Sequence, residues 1–132
     1  MRTPGEKILI IDDSNTNVVL LQAVLSRNGY NTMTALSAKE AYSRIEDNKP
    51  DLILLDLLMP EISGFDFLEH IKSEEGTKNI PVIVVSAVTD TVNIKKAMDM
   101  GANDFIKKPI ELQILLTKVK DVLAIFPPSG SK

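Results

Sequence analysis

The sequence predicts a doubly wound α/β fold, a five-stranded parallel sheet with helices on both faces. Three observations carry this. Short aliphatic runs recur at Ile8-Leu9-Ile10-Ile11, Leu52-Ile53-Leu54-Leu55 and Val82-Ile83-Val84-Val85, bounded by polar or turn residues. Such runs read as strands covered on both faces. Between them, apolar side chains recur at helical spacing. Two more polar strand-like stretches, Tyr30 to Ala35 and Asp104 to Lys107, complete a strict strand–helix alternation. Short, right-handed crossovers turn that alternation into one parallel sheet.

Each element has its own signal. After the first strand come the cap candidates Ser14 and Asn15, then Val18, Leu21 and Leu25 with Val19, Leu20 and Val24. Asn28-Gly29 stops that helix, because both residues tolerate the left-handed backbone. Tyr30 to Ala35 alternates and belongs nearer a sheet edge. Ser37 with Glu40 resembles a capping box opening a helix to about Asp47. Pro50 ends it, and the strand to Asp56 follows. A loop from Leu57 to Ser63 holds Met59-Pro60. Gly64 to Ser73 reads as a helix with Phe65, Leu68 and Ile71 inward, and Glu74 to Asn79 as a polar connection. A helix from about Asp90 to Met100 is stopped by Gly101. The last helix starts near Ile110, with an apolar face of Leu112, Leu115, Leu116, Val119, Val122 and Leu123. Residues 1–125 form one domain, and 126–132, with Pro127-Pro128, read as a linker or tail. The three aliphatic strands should be central and the other two at the edges.

Composition narrows the function. The chain has 132 residues, 44% hydrophobic and 25% charged, which fits one globular domain and excludes a disordered chain. A net charge of -3 argues against binding nucleic acid by bulk charge. With no cysteine and His70 the only histidine, thiol chemistry, disulfides and multi-histidine metal sites are excluded. No apolar run approaches the roughly 20 residues of a membrane span. A signal-peptide core is missing from Met1 to Glu6, so no membrane partner and a cytoplasmic location are expected.

The chemistry lies at the carboxyl ends of the strands, where open parallel sheets bind ligands. The first strand delivers Asp12 and Asp13, the third Asp56, the fourth Ser86 and Ala87, the fifth Lys108. Singly, each has an ordinary structural explanation as a cap, a turn or a solvated surface residue. Jointly they bring three carboxylates, a hydroxyl and an ammonium to one edge of one sheet. Carboxylates held close repel one another, and a hard divalent cation relieves this. An oxygen-only donor set suits Mg²⁺ or Mn²⁺, with Asp13 and Asp56 as direct ligands and Asp12 acting through water. The lysine and the hydroxyl then suit a phosphoryl group, and a carboxylate beside them can act as its acceptor.

Asp12-Asp13, Asp56-Leu57-Leu58-Met59-Pro60 with Gly64, Ser86-Ala87 and Asp104-Phe105-Ile106-Lys107-Lys108-Pro109 together resemble the receiver domain of two-component response regulators. The resemblance runs from about Lys7 to Leu123. It implies the flavodoxin-like fold and the strand order 2-1-3-4-5 of the chemotaxis receiver CheY, a standard example of that fold. It implies that Asp56 accepts a phosphoryl group from a histidine kinase or histidine phosphotransfer protein. Asp13, Asp56 and the Leu58 carbonyl would hold the cation. Lys108 would bind phosphoryl oxygens, and its bond to Pro109 would be cis. Ser86 and the Ala87 backbone would contact the same group, and Phe105 would be the aromatic switch. Phosphorylation adds negative charge and acceptor oxygens. It would thereby bias the loop after Ser86, the following helix and the strand at Phe105, the output face. The implied chain is a signalling phosphoacceptor promoting only its own phosphorylation and dephosphorylation, not an enzyme. Its implied partners are the kinase, a downstream output domain or protein and, in some states, a second phosphorylated copy.

Departures matter too. Ser63-Gly64 stands where the family often has Asp-Gly. Leu58 and Val88, two residues beyond Asp56 and Ser86, are apolar where polar residues orient water, which points to slow loss of the phosphoryl group. Phe105 has no hydroxyl, and Lys95, Lys96 and Lys118 form no clear charge-paired dimer signature. A degenerate receiver acting only as an interaction module would lack some of these groups. A flavin-binding relative would need a phosphate-binding loop where Asp12-Asp13 stand. A Mg²⁺-dependent phosphohydrolase would want a second acid two residues beyond Asp56, where Leu58 stands. No output domain follows Leu123, which leaves a stand-alone receiver or part of a longer protein as the expectations.

Overall fold

The computed structural model describes residues 5–57, 63–86 and 91–125. Leu58, Met59-Pro60, Ala87, Val88, Asp90 and the stretch 126–132 lie outside them. The chain runs β1 (Lys7–Ile11), α1 (Asn15–Arg27), β2 (Asn31–Ala35), α2 (Ala38–Asp47), β3 (Leu52–Asp56), α3 (Gly64–Ser73), β4 (Val82–Ser86), α4 (Thr91–Asp99), β5 (Asp104–Lys107) and α5 (Leu112–Ile125). All pairings are parallel, in the order β2-β1-β3-β4-β5. The three aliphatic strands are central because helices cover both their faces.

Strand alternation divides the core into two layers. Leu9, Ile11, Ile53, Leu55, Val82 and Val84 point to one face, onto Ala38 and Ala41 of α2, Phe67, Leu68 and Ile71 of α3 and Ala97 of α4. Ile8, Ile10, Leu52, Leu54, Ile83, Val85 and Ile106 point to the other, onto Val18, Leu21 and Leu25 of α1 and Leu115, Val119, Val122 and Leu123 of α5. All five residues of β3 are buried, so Asp56 is presented from the middle of a rigid layer.

The helix stops are physically specific. Gly29 and Gly101 have φ of 95° and 112°. After α1, Gly29 N–H donates to Ser26 O and Tyr30 N–H to Leu25 O. After α4, Gly101 N–H donates to Met98 O and Ala102 N–H to Ala97 O. Each is the paired closure that a left-handed residue permits. It also moves the start of β2 from Tyr30 to Asn31, since the Tyr30 amide is spent on the helix. Likewise α4 ends at Asp99, before the cap.

Three readings of side-chain placement change. On α3 the buried stripe is Phe67, Leu68 and Ile71, while Phe65 is only partly buried with the Lys96 ammonium 4.5 Å over its ring. A stripe at i, i+1 and i+4 fits 3.6 residues per turn better than one stepping by three. On α5, Leu112, the first residue of the helix, is 40% exposed, and the buried stripe is Leu115, Val119, Val122 and Leu123. At α2, Ser37 caps Glu40 N–H, but the returning Glu40 carboxylate accepts from Leu36 N–H rather than Ser37 N–H.

Candidate functional site

The carboxyl edge of the sheet is assembled by backbone register. Asp12 N–H donates to Ala35 O at 3.1 Å, extending the β1–β2 ladder one residue into the acidic pair. Lys108 N–H donates to Ser86 O at 2.9 Å, which carries the β4–β5 ladder past the last strand residue. Asp56 pairs in register with Val85, one residue before Ser86. The strand ends therefore place Asp12, Asp56, Ser86 and Lys108 together without help from the loops.

One carboxylate oxygen from each of Asp12, Asp13 and Asp56 lies within 4.8 Å of the others. Asp12 and Asp56 are buried, whereas Asp13 is exposed. The Lys108 ammonium stands 3.4 Å from Asp12 Oδ2 and 3.6 Å from Asp56 Oδ2. Those are ion-pair distances, and the low exposure of both acids makes them felt more strongly than a surface pair. The Lys108–Pro109 bond is cis. Ser86 is buried at the same edge.

Asp12 is already engaged. Its Oδ1 accepts from Ser14 N–H at 2.9 Å, and its Oδ2 from the Asn17 side-chain amide at 3.4 Å. Ser14 in turn caps α1 by accepting from Asn17 N–H. The cap of α1 and the acid cluster are one hydrogen-bonded unit. Asn17 is a site neighbour that sequence reading missed; its signal was an amide in the first turn of the helix that follows the acids.

Leu57, the residue after Asp56, is tied to the start of α3. Ser63 caps that helix by accepting from Asp66 N–H. Gly64 N–H donates to Leu57 O at 2.9 Å. Ser63 thus does the capping work of the Asp often found there, an N-terminal role both residues fill. Phe105 is partly buried against the first core layer. Lys118 of α5, a second missed neighbour, lies with its ammonium 4.8 Å from the Phe105 ring centroid.

An oxygen-only set of three acids fits a hard divalent cation. Of the expected ligands, Asp13 and Asp56 are brought together; the Leu58 carbonyl and the Ala87 backbone lie outside the described residues. A cavity of about 780 Å³ lies at the opposite edge, beside Lys7, Asp51, Pro81 and Asn103. The candidate site is recognised by its charged groups rather than by a cavity. No helix among the described residues is long and apolar enough to cross a membrane.

Comparison with known proteins agrees. The family described as "response regulator receiver domain" matches residues 8–120. The phosphate regulon transcriptional regulatory protein PhoB of Pseudomonas aeruginosa is 34% identical over 128 residues, 97% of this chain and 56% of the relative. The response regulator PleD of Caulobacter vibrioides is 34% identical over 116 residues, 88% of this chain and 26% of the relative. The chain therefore spans about half or less of these relatives. A response regulator structure from Chloroflexus aurantiacus superposes with a TM-score of 0.87 at 34% identity, covering 91% of this chain and 98% of the other. The chemotaxis protein CheY4 of Vibrio cholerae gives 0.85 at 26%, covering 90% and 99%. Receivers of this kind are signalling phosphoacceptors rather than catalytic enzymes and work with histidine kinases, and the acidic triad here is of the matching kind. By strand order, acid cluster and sequence alike, this chain belongs to the response regulator receiver domain family of two-component systems.

Proposed function

We propose that Asp56 is the residue that takes the phosphoryl group. The observation that carries this is the Lys108 ammonium, 3.6 Å from a buried Asp56 that shares a 4.8 Å cluster with Asp12 and Asp13. In the transfer, an Asp56 carboxylate oxygen forms a bond to phosphorus as the bond from phosphorus to the donor's histidine nitrogen breaks. The imidazole keeps that electron pair. Lys108 then pairs with phosphoryl oxygens, and the Ser86 hydroxyl and Ala87 amide donate to them. Mg²⁺ or Mn²⁺, bound by Asp13, Asp56 and the Leu58 carbonyl, would neutralise charge on the transferring group. Asp12 suits the outer role through water, because both its oxygens already accept hydrogen bonds from this chain.

The phosphoryl oxygens would draw Ser86 and let Phe105 turn inward, which changes the face of α4 and β5. The donor is a histidine kinase or histidine phosphotransfer protein, and the reader is an output domain or protein, with a phosphorylation-dependent dimer as one form. The domain promotes only its own phosphorylation and dephosphorylation. Residues 1–125 act as the unit, with 126–132 as linker, in the cytoplasm where kinase and phosphodonor reside.

Acetyl phosphate tests the reading. With Mg²⁺ the intact protein should gain one phosphoryl unit by mass spectrometry. Asp56→Asn, or chelation of the metal, should abolish the gain. Label that survives Asp56→Asn refutes the assignment.

A further inference from the structure

Lys118 makes three contacts at the edge of the sheet. Its Nζ donates to Asp104 Oδ1 at 2.9 Å and to the Phe105 carbonyl at 2.7 Å, and it lies 4.8 Å from the Phe105 ring centroid. Its side chain is only 29% exposed, so the ammonium is partly withdrawn from water. Asp104 in turn accepts from Phe105 N–H at 2.8 Å. The carboxylate, the backbone of residue 105 and the ammonium therefore form a closed unit around one aromatic side chain.

We propose that Lys118 is a positioning residue for the Phe105 switch: the ammonium, anchored by Asp104 and the Phe105 carbonyl, holds the ring in its resting place by its face. This rests on the reading of Asp56 as phosphoacceptor and Phe105 as switch. The physical point is which contacts depend on the ring. The bonds to Asp104 and the Phe105 carbonyl involve groups that stay put when the ring rotates about its side-chain bonds. Of the three Lys118 contacts, only the one between ammonium and ring is lost. An interaction shifts a two-state equilibrium only by the part that differs between the states, so that contact is the part that biases the switch. A tyrosine could be held outward by a hydrogen bond from its hydroxyl. Phe105 has none, and a cation within about 6 Å of the ring centroid supplies an alternative hold. Arginine at 118 would keep it, since a guanidinium stacks on an aromatic face; a neutral side chain would not.

The test uses the whole chain with ring-labelled phenylalanine, the Phe105 signal being assigned from Phe105→Leu. Spectra are taken with Mg²⁺, with and without beryllofluoride as the phosphoryl mimic, and acetyl phosphate labelling is timed in parallel. In Lys118→Met without the mimic, the Phe105 signal should move toward its mimic-bound position, and labelling should quicken by about threefold, the scale of one partly exposed cation–ring contact. Lys118→Arg should behave as the parent protein. Lys118→Gln serves as a second neutral variant should the methionine form fail to fold. A Phe105 signal that moves with the mimic in the parent but sits unchanged in both neutral variants overturns the proposal. So does an arginine form indistinguishable from them. If the parent takes no label and its Phe105 signal ignores the mimic, the reading of Asp56 itself falls, and this one with it.

Discussion

Gly64 is packed so tightly on Leu57 that a Cβ at position 64 would lie 2.5 Å from the Leu57 Cα and 2.6 Å from the Asp56 carbonyl oxygen. Both obstacles are backbone, at the end of β3 and the start of the loop that follows the acid. Gly64→Ala must therefore push that backbone away. We expect it to cost about 1–3 kcal/mol, the usual range for overpacking a close contact, and to slow labelling of Asp56. A urea midpoint equal to that of the parent would show that the loop yields freely.

Lys108 neutralises the same two acids that a divalent cation would approach. Lys108→Met should therefore have opposite effects on two measurements. Mg²⁺ should bind tighter, by roughly three- to tenfold, because a competing positive charge is gone. Labelling by acetyl phosphate should nonetheless slow by about tenfold or more, because the phosphoryl oxygens lose their partner. A Mg²⁺ titration followed by NMR, beside timed mass spectrometry, checks both. If metal affinity and labelling fall together, Lys108 is acting as structural support.

Asp12 and Asp13 are neighbours in sequence with different surroundings. Asp13 is exposed, so Asp13→Asn should leave stability within about 0.5 kcal/mol while weakening Mg²⁺ binding on the order of tenfold. Asp12 is buried and accepts from Ser14 N–H and Asn17 beside Lys108. Asp12→Ala strips partners from a helix cap and a half-buried ammonium, and should cost about 1–3 kcal/mol even without metal. Equal destabilisation by the two substitutions in chelator would contradict this division.

Alkaline pH should weaken the fold through its tyrosines. Burial raises the phenols of Tyr30 and Tyr42 above their usual 10.0, with Glu6 adding to the first and Asp66 to the second. The native state then keeps protons that the unfolded chain releases. Their contribution is intact below pH 10.0 and is lost as pH rises through the raised values. Lys72 has the opposite sign: burial lowers it from 10.5, so its unfavourable contribution fades as pH climbs toward 10.5. The double substitution Tyr30→Phe, Tyr42→Phe should therefore lose less thermal stability than the parent between about pH 10 and 11. Parallel melting curves across that interval would expose the error if the two proteins fall in step.

Much of this molecule is written locally. The runs Ile8–Ile11, Leu52–Leu55 and Val82–Val85 read as central strands, since continuous apolar residues need cover on both faces. Gly29 and Gly101 end their helices by backbone sterics alone. Because a parallel sheet aligns its carboxyl ends, the strand order along the chain already gathers the acids, Ser86 and Lys108 at one edge.

What linear spacing could not decide was which neighbours meet across elements. That Phe67 rather than Phe65 fills the core, that Leu36 rather than Ser37 receives the Glu40 carboxylate, and that Leu112 is partly exposed depend on how each helix is rotated against the sheet. That Asn17 reaches Asp12, and that Lys118 covers Phe105, depends on α1 and α5 docking at a given angle. Helix rotation is set by packing two layers of side chains at once, a many-body constraint that periodicity does not contain. Sequence by itself determined the sheet and which polar groups gather at its edge; tertiary packing alone decided what holds those groups in place.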